Sequence, residues 1–229
     1  MKDKFEDVRM EQSNADHFNR YLEVRARAAG LVFVDFSLNG QDRDAGADYL
    51  FAADSNFSLV EYKDAEDCIA AEVEKRRRRT LCEILEDEEN AAWKAHHDAC
   101  HYIAWRDSDT DLRFNVYRKE VCNKKIFPMS EKISCKLPDL GLRITGTAFA
   151  DDFVAGKRCL GLVNFQKYLE WLMKDGSGSE AGTLQLAVSN PNRRFFSTIR
   201  FKSVLEANNW IIQEKALAEA STVTRKPGL

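Results

Sequence analysis

No stretch of this sequence approaches the ~20 consecutive apolar residues that a membrane-spanning helix requires, although 44% of its 229 residues are apolar. The opening segment, Met1 to Met10, is charged throughout and has no apolar h-region, so a cytoplasmic protein is expected rather than a secreted one. Proline (4) and glycine (11) are scarce, which excludes collagen-like and Pro/Gly-rich low-complexity chains. Neither sign of charge dominates. The 34 Lys and Arg against 37 Asp and Glu leave a net charge of -3, which excludes a histone-like protein. None of the 6 cysteines forms a C-x-x-C pair, and in a cytoplasmic setting they are expected to be reduced, mostly buried small side chains. Phosphate-loop, H-E-x-x-H and G-x-S-x-G motifs are all missing.

What is present suits one α/β domain with a substantial core. Ser13 to Ala29 reads as a helix with Phe18, Leu22, Ala26 and Ala29 on one face and Gly30 as its stop. Strands are expected at 31–37, 47–53 and 57–63, the last two joined by a turn at Asp54-Ser55-Asn56. A long charged helical pattern follows from Glu66 to Cys100, bent near 86–90, and then strands at 101–106 and 112–122. Beyond a mixed middle section come a helix at 162–174, a hairpin around Asn190-Pro-Asn192, a helix at 203–220 and a frayed tail over 221–229. The charge is uneven, acidic before about Arg113 and basic after it.

The chemistry concentrates in Asp48-x12-Glu61-Tyr62-Lys63. If the flanking strands pair about the Ser55-Asn56 dipeptide, Asp48 faces Lys63 and Leu50 faces Glu61, so both acids and the lysine share one sheet face. The other face (Tyr49, Phe51, Ala53, Val60, Tyr62) is also apolar, which points to a sheet covered on both sides. Two carboxylates and a lysine there are costly unless something binds. Hard oxygen donors at this spacing suit Mg²⁺ or Mn²⁺, and a lysine beside them can orient an attacking water or offset charge on a phosphoryl group. The bland reading is a cross-strand Asp48–Lys63 pair on a surface hairpin.

A helix, a strand, a strand bearing Asp48, a strand ending in Glu61-Tyr62-Lys63, then a helix and a further strand: over residues 13–106 this order resembles the core of the PD-(D/E)XK nuclease superfamily. The resemblance implies a restriction-endonuclease-like fold, a central mixed β-sheet flanked by helices. The nuclease-like core would span 13–122, followed by a C-terminal α/β extension over 123–220. It also implies a Mg²⁺- or Mn²⁺-dependent nuclease, on DNA more than RNA, with Asp48 and Glu61 as metal ligands and Lys63 as the third catalytic residue. A restriction or phage-defence setting follows from the breadth of that family alone. The sequence departs from the pattern in having Ala47, not proline, before the aspartate. Glu23 on the first helix is the candidate for the additional acid that some members carry. The alternative is a catalytically inactive nucleic-acid-binding or assembly module on the same fold.

Nucleic-acid contacts are expected from Arg76, Arg77, Arg78 and Arg79 on a helix, and from Arg193, Arg194, Arg200 and Lys202 interleaved with aromatics. Against this, Glu72–Arg76, Glu74–Arg78 and Arg79–Glu83 stand four apart, where opposite charges pair along a helix. His97 with His101, and His96 with Cys100, have a spacing that can chelate zinc, although no companion pair exists elsewhere. The acidic stretch Glu83 to Glu89 is a candidate dock for a basic partner protein or a second copy of the chain.

Overall fold

A long helix, α1 (Lys4–Ala28), opens the fold. The structure, a computed structural model, describes residues 4–38, 45–107, 111–176, 186–189 and 198–223. Gly30 ends α1 at φ +74, with Gly30 N–H donating to Arg27 O and Leu31 N–H to Ala26 O, the left-handed stop that glycine adopts without steric cost. Phe18, Leu22 and Ala26 are buried as their spacing predicts, whereas Ala29 is exposed in the cap.

Strands β1 (Phe33–Ser37), β2 (Tyr49–Ala53) and β3 (Asn56–Ala65) form an antiparallel meander. A helical crossover then returns the chain so that β4 (His101–Arg106) lies parallel to β3. That crossover is not one bent helix. It consists of a 3-10 segment over Glu66–Glu74, then α2 (Arg76–Glu86), a short 3-10 turn at Glu88–Asn90 and α3 (Ala91–Cys100). Antiparallel β5 (Leu112–Val116) follows β4, and the expected continuation of β5 to Cys122 is instead a short helix, α4 (Tyr117–Val121). The result is an α/β architecture with a mixed central sheet, mostly antiparallel with one parallel pair, flanked by helices.

Residues after 122 extend this sheet. Strand β6 (Ile144–Thr145) pairs with β5, and β7 (Leu160–Gly161) pairs with the start of β3. They alternate with α5 (Gly146–Val154) and α6 (Leu162–Trp171). A separate hairpin of β8 (Leu186–Ser189) and β9 (Thr198–Phe201) precedes α7 (Val204–Val223), so residues 221–223 of the expected frayed tail are helical and 224–229 lie outside the described residues. No helix among the described residues is long and apolar enough to cross a membrane.

Both sheet faces are covered, as the two-sided apolar pattern of β2 and β3 predicts. Helices α1 and α5 pack Phe18, Leu22, Phe149 and Phe153 on Phe51, Val60, Tyr62 and Phe114. On the opposite face, Leu50, Leu59, Ile103 and Trp105 meet Cys82, Leu85, Phe165, Leu169 and Ile211 from the other helices. Eight of the ten residues of β3 are buried because it is central, paired on both edges.

The expectation of six reduced cysteines is corrected at one pair. Cys82 on α2 and Cys122 after α4 form a disulfide, with Cα atoms 5.1 Å apart. The other four, Cys68, Cys100, Cys135 and Cys159, are free. Forty positions apart in sequence, the two partners give no local signal; only the folding of both into one buried cluster brings them together. The chain-entropy account of a loop this long assigns it about 4 kcal/mol. Peptide mapping without reductant is therefore expected to find the 82–122 link, and Cys82→Ser to lower the unfolding free energy by about 2–4 kcal/mol in denaturant titration; an unchanged midpoint would contradict the pairing.

Candidate active site

The turn between β2 and β3 closes one residue earlier than expected. Asp54 takes a left-handed conformation (φ 50), tolerable for aspartate, and Ala53 pairs with Asn56. Its side chain holds the turn: Oδ1 accepts from Val32 N–H at 3.1 Å, and Oδ2 from Lys215 of α7 at 2.5 Å. Leu50 therefore faces Leu59, not Glu61, and the paired ladder ends at Tyr49–Val60, one residue after Asp48. The slip moves each partner by two positions, so side-chain parity, and with it the face carrying Glu61 and Lys63, is unchanged.

Asp48 is tied into this ladder by backbone and side chain alike. Its N–H donates to Val60 O at 3.0 Å, its carbonyl accepts from Leu38 N–H at 2.8 Å, and its Oδ2 accepts the Tyr62 N–H at 2.6 Å. Glu61 and Lys63 are 1% and 7% exposed. Lys63 Nζ donates to Glu61 Oε1 at 2.5 Å and to Tyr62 O at 3.0 Å.

A second buried acid, Glu72, completes the cluster. It is fully buried on the 3-10 segment after β3, 3.1 Å from Lys63 Nζ. Lys75 Nζ sits between the two glutamates, 2.6 Å from Glu61 Oε1 and 2.8 Å from Glu72 Oε1. Arg78 approaches the outer oxygens, Nη2 to Glu61 Oε2 at 3.6 Å and Nε to Glu72 Oε2 at 3.3 Å, while Tyr117 Oη donates to Glu72 Oε2 at 2.6 Å. Burial alone would push the Glu61 carboxyl up, but the combined field of Lys63, Arg78 and Lys75 outweighs it and holds the group well below the usual carboxylate range. Burial likewise works against the Arg78 charge, yet Tyr117, Glu61, Glu72 and Asp48 together raise its pKa.

Sequence reasoning missed Glu72 and Lys75 because it assumed an α-helical period. In a 3-10 segment neighbours on one face are three apart, and Glu72, Lys75 and Arg78 keep that spacing. Glu72 pairs with Lys75 and Arg78, and Arg79–Glu83, inside α2, pairs at 3.0 Å as predicted.

Other expected residues fall elsewhere. Arg78 is 3% exposed and turned into the acid cluster, so it does not face a nucleic acid in this structure; Arg77 is half-buried and Arg79 is exposed. Arg76 belongs to the first turn of α2, and nothing further of its side chain is described. Arg200 and Lys202 are exposed at the end of β9, while Arg193 and Arg194 lie outside the described residues. Glu23 does not join the cluster: it pairs with Arg27 at 2.6 Å on α1, across the sheet from Glu61. The acidic stretch at 83–89 is engaged by the chain itself, through Ser130 on Glu83, Ser134 on Glu86 and Lys132 on Asp87.

The histidines make a hydrogen-bond relay in place of the zinc pair that their spacing allowed. Arg118 N–H donates to His97 Nε2 at 3.2 Å, which leaves the His97 proton on Nδ1, facing Tyr168 Oη at 2.7 Å. Tyr168 Oη then donates to His101 Nδ1 at 2.8 Å, and His101 Nε2–H to Gly46 O at 2.8 Å. Each donor meets one acceptor, and both rings are neutral. Gly46 (φ +74) must lack a side chain, since a Cβ would stand 3.0 Å from both Arg78 Nη1 and His101 Cε1. The relay thus anchors the backbone two residues before Asp48. Among the described residues no group of three or more His, Cys, Asp or Glu is placed to hold a metal ion.

Burial drives the His101 pKa down to about 4, with Arg78 adding to the fall and Gly46 O and Glu61 opposing it; His97 is pushed well below its usual value by burial, His101 and Arg118. Between pH 6.5 and 4 the unfolded chain therefore takes up a proton that folded His101 refuses, so stability falls with pH across that window, by about 3 kcal/mol for this residue. Urea midpoints measured from pH 7 to pH 4 are expected to drop accordingly in wild type and more shallowly in His101→Gln. Arg78→Ala, which strands two buried acids, is expected to cost about 3–5 kcal/mol. Arg79→Ala one position on should cost less than about 1 kcal/mol, its exposed ion pair being screened by water. Equal losses would contradict the inward placement of Arg78.

Comparison with protein-family models, with curated proteins and with solved structures finds no match to this chain.

Proposed function

We propose that the protein is a divalent-metal-dependent phosphodiesterase, a nuclease acting on DNA in preference to RNA, built on a restriction-endonuclease-like arrangement of its sheet. The observation that carries this reading is the placement of Asp48, Glu61 and Lys63 about β3: Asp48 Oδ2 accepts the N–H of Tyr62, the residue between the other two, and Lys63 bonds Glu61 on one face of the strand. The order of elements through β4, including the parallel β3–β4 pair, supports it.

Donor chemistry fits Mg²⁺ or Mn²⁺. All the acids offer hard oxygens, and Glu61 Oε2 is buried without a hydrogen-bond partner, its cation Arg78 Nη2 standing 3.6 Å away. Asp48 and Glu61 would hold the ion, which supplies Lewis acidity toward a phosphoryl oxygen and a bound water of lowered pKa. Lys63, fixed by Glu61 and Tyr62 O, orients the water in the ground state and offsets charge as the phosphorus gains a fifth oxygen. Arg78 keeps Glu61 ionised and aimed. Arg79, Arg200 and Lys202 are exposed cations available to a phosphate backbone.

One observation favours a second reading, a catalytically silent nucleic-acid-binding or assembly module: Glu61 and Glu72 are already matched by three cations, enough to make the cluster a structural pin. Incubation with plasmid DNA separates the two. The nuclease reading expects cleavage with Mg²⁺ or Mn²⁺, abolished by EDTA and reduced at least 100-fold in Asp48→Ala and in Lys63→Ala. Undiminished cleavage by either variant would sink the assignment, and metal-independent DNA retention without cleavage by wild type would favour the silent module.

A further inference from the structure

The three cations that hold the buried acids are not equivalent. Lys63 and Arg78 are locked in place, with side chains 8% and 4% exposed. Lys75 stands at the junction between the 3-10 segment and α2, and its side chain is 41% exposed. Its ammonium nonetheless reaches in to lie between a carboxylate oxygen of Glu61 and one of Glu72, at 2.6 and 2.8 Å. A small cation bridging two hard, buried oxygens from separate elements occupies the position that a divalent ion would take between them. Lys75 can withdraw along its own exposed stem without opening a void once another cation takes over its two carboxylates, whereas Lys63 and Arg78 would each leave a buried void.

We propose that Lys75 is a displaceable plug: its ammonium fills the divalent-ion position between Glu61 and Glu72 and leaves when the ion enters, with Glu72 then serving as a ligand beside Glu61. This rests on the metal-dependent reading above. Charge explains what the exchange achieves. With Lys75 in place, the negative charges of Asp48, Glu61 and Glu72 equal the positive charges of Lys63, Lys75 and Arg78, and the site has no net pull on a polyanion. Exchanging an ammonium for a divalent ion leaves one surplus positive charge, which a single phosphodiester neutralises. The expelled Lys75 ammonium is then a surface cation at the mouth of the site, free to contact an adjacent phosphate. Loading with metal and affinity for the nucleic acid are thereby coupled, and the metal-free protein avoids two unshielded buried carboxylates.

Direct binding of Mn²⁺, followed by electron paramagnetic resonance of the free ion in the absence of nucleic acid, tests the plug without relying on cleavage. Lys75→Met keeps the stem and removes the charge, and it is expected to bind Mn²⁺ at least tenfold more tightly than wild type. Glu72→Gln, close in volume to the native residue, is expected to bind at least tenfold more weakly. If wild type binds Mn²⁺ and a folded Lys75→Met binds no tighter, the plug is overturned while the metal reading stands. Undiminished affinity in Glu72→Gln removes Glu72 as a ligand and overturns the bridging position with it. If neither wild type nor Lys75→Met binds at millimolar Mn²⁺, the metal reading falls and the plug falls with it. Lys75→Gln provides a second neutral variant; failure of both to fold, read by circular dichroism, would make Lys75 a structural cation and overturn the proposal.

Discussion

Two glutamates buried side by side at the end of a central strand impose the constraint around which this protein is organised. Each carboxylate taken from water costs several kcal/mol, and two adjacent ones repel. The structure answers with Lys63 from the same strand, Lys75 and Arg78 from the following 3-10 and helical segments, and the hydroxyl of Tyr117 from α4. Four elements are thereby held in register by charge in addition to apolar packing. A polar cluster of this kind is poor value for stability alone, since well-packed apolar residues would serve as well. Its presence close to Asp48 is what points to chemistry.

The surroundings are arranged to keep that cluster in place. His97, Tyr168 and His101 form a chain of hydrogen bonds ending on Gly46 O, which anchors the segment leading to Asp48. The same Gly46 clears space for Arg78, so one glycine serves both the relay and the charge cluster. The Cys82–Cys122 bond ties the helix bearing Arg78 to the end of the helix bearing Tyr117. Aromatic contacts continue the link, with the His101 and Tyr117 rings 5.0 Å apart. Together these connections explain how one central strand and the segments after it can hold several charges with little freedom to rearrange.

The sequence made the three-residue constellation visible because its members sit on one hairpin, where local rules govern. It also made visible the stop at Gly30, the two-sided burial of the sheet and the Arg79–Glu83 pair, each a matter of near neighbours. Glu72 and Lys75 escaped notice because the period of their segment is three rather than 3.6, and nothing in Glu66–Glu74 announces a 3-10 geometry. Arg78 looked like one cation in a basic run; its inward turn depends on β3 being close enough to receive it. His97 and His101 had the spacing of a zinc pair, but the atom between them comes from Tyr168, far along the chain. Cys82 and Cys122 likewise meet only in the folded core.

Alternation along a strand is a covalent regularity, so the chain alone decided that Glu61 and Lys63 share a face, and even a misplaced turn left that result intact. Which cation neutralises which acid is decided by distances of a few ångströms between elements that are remote in the chain. Coulomb energy at such distances changes steeply with position and with burial, and only the folded arrangement of β3, the 3-10 segment, α2 and α4 sets those positions.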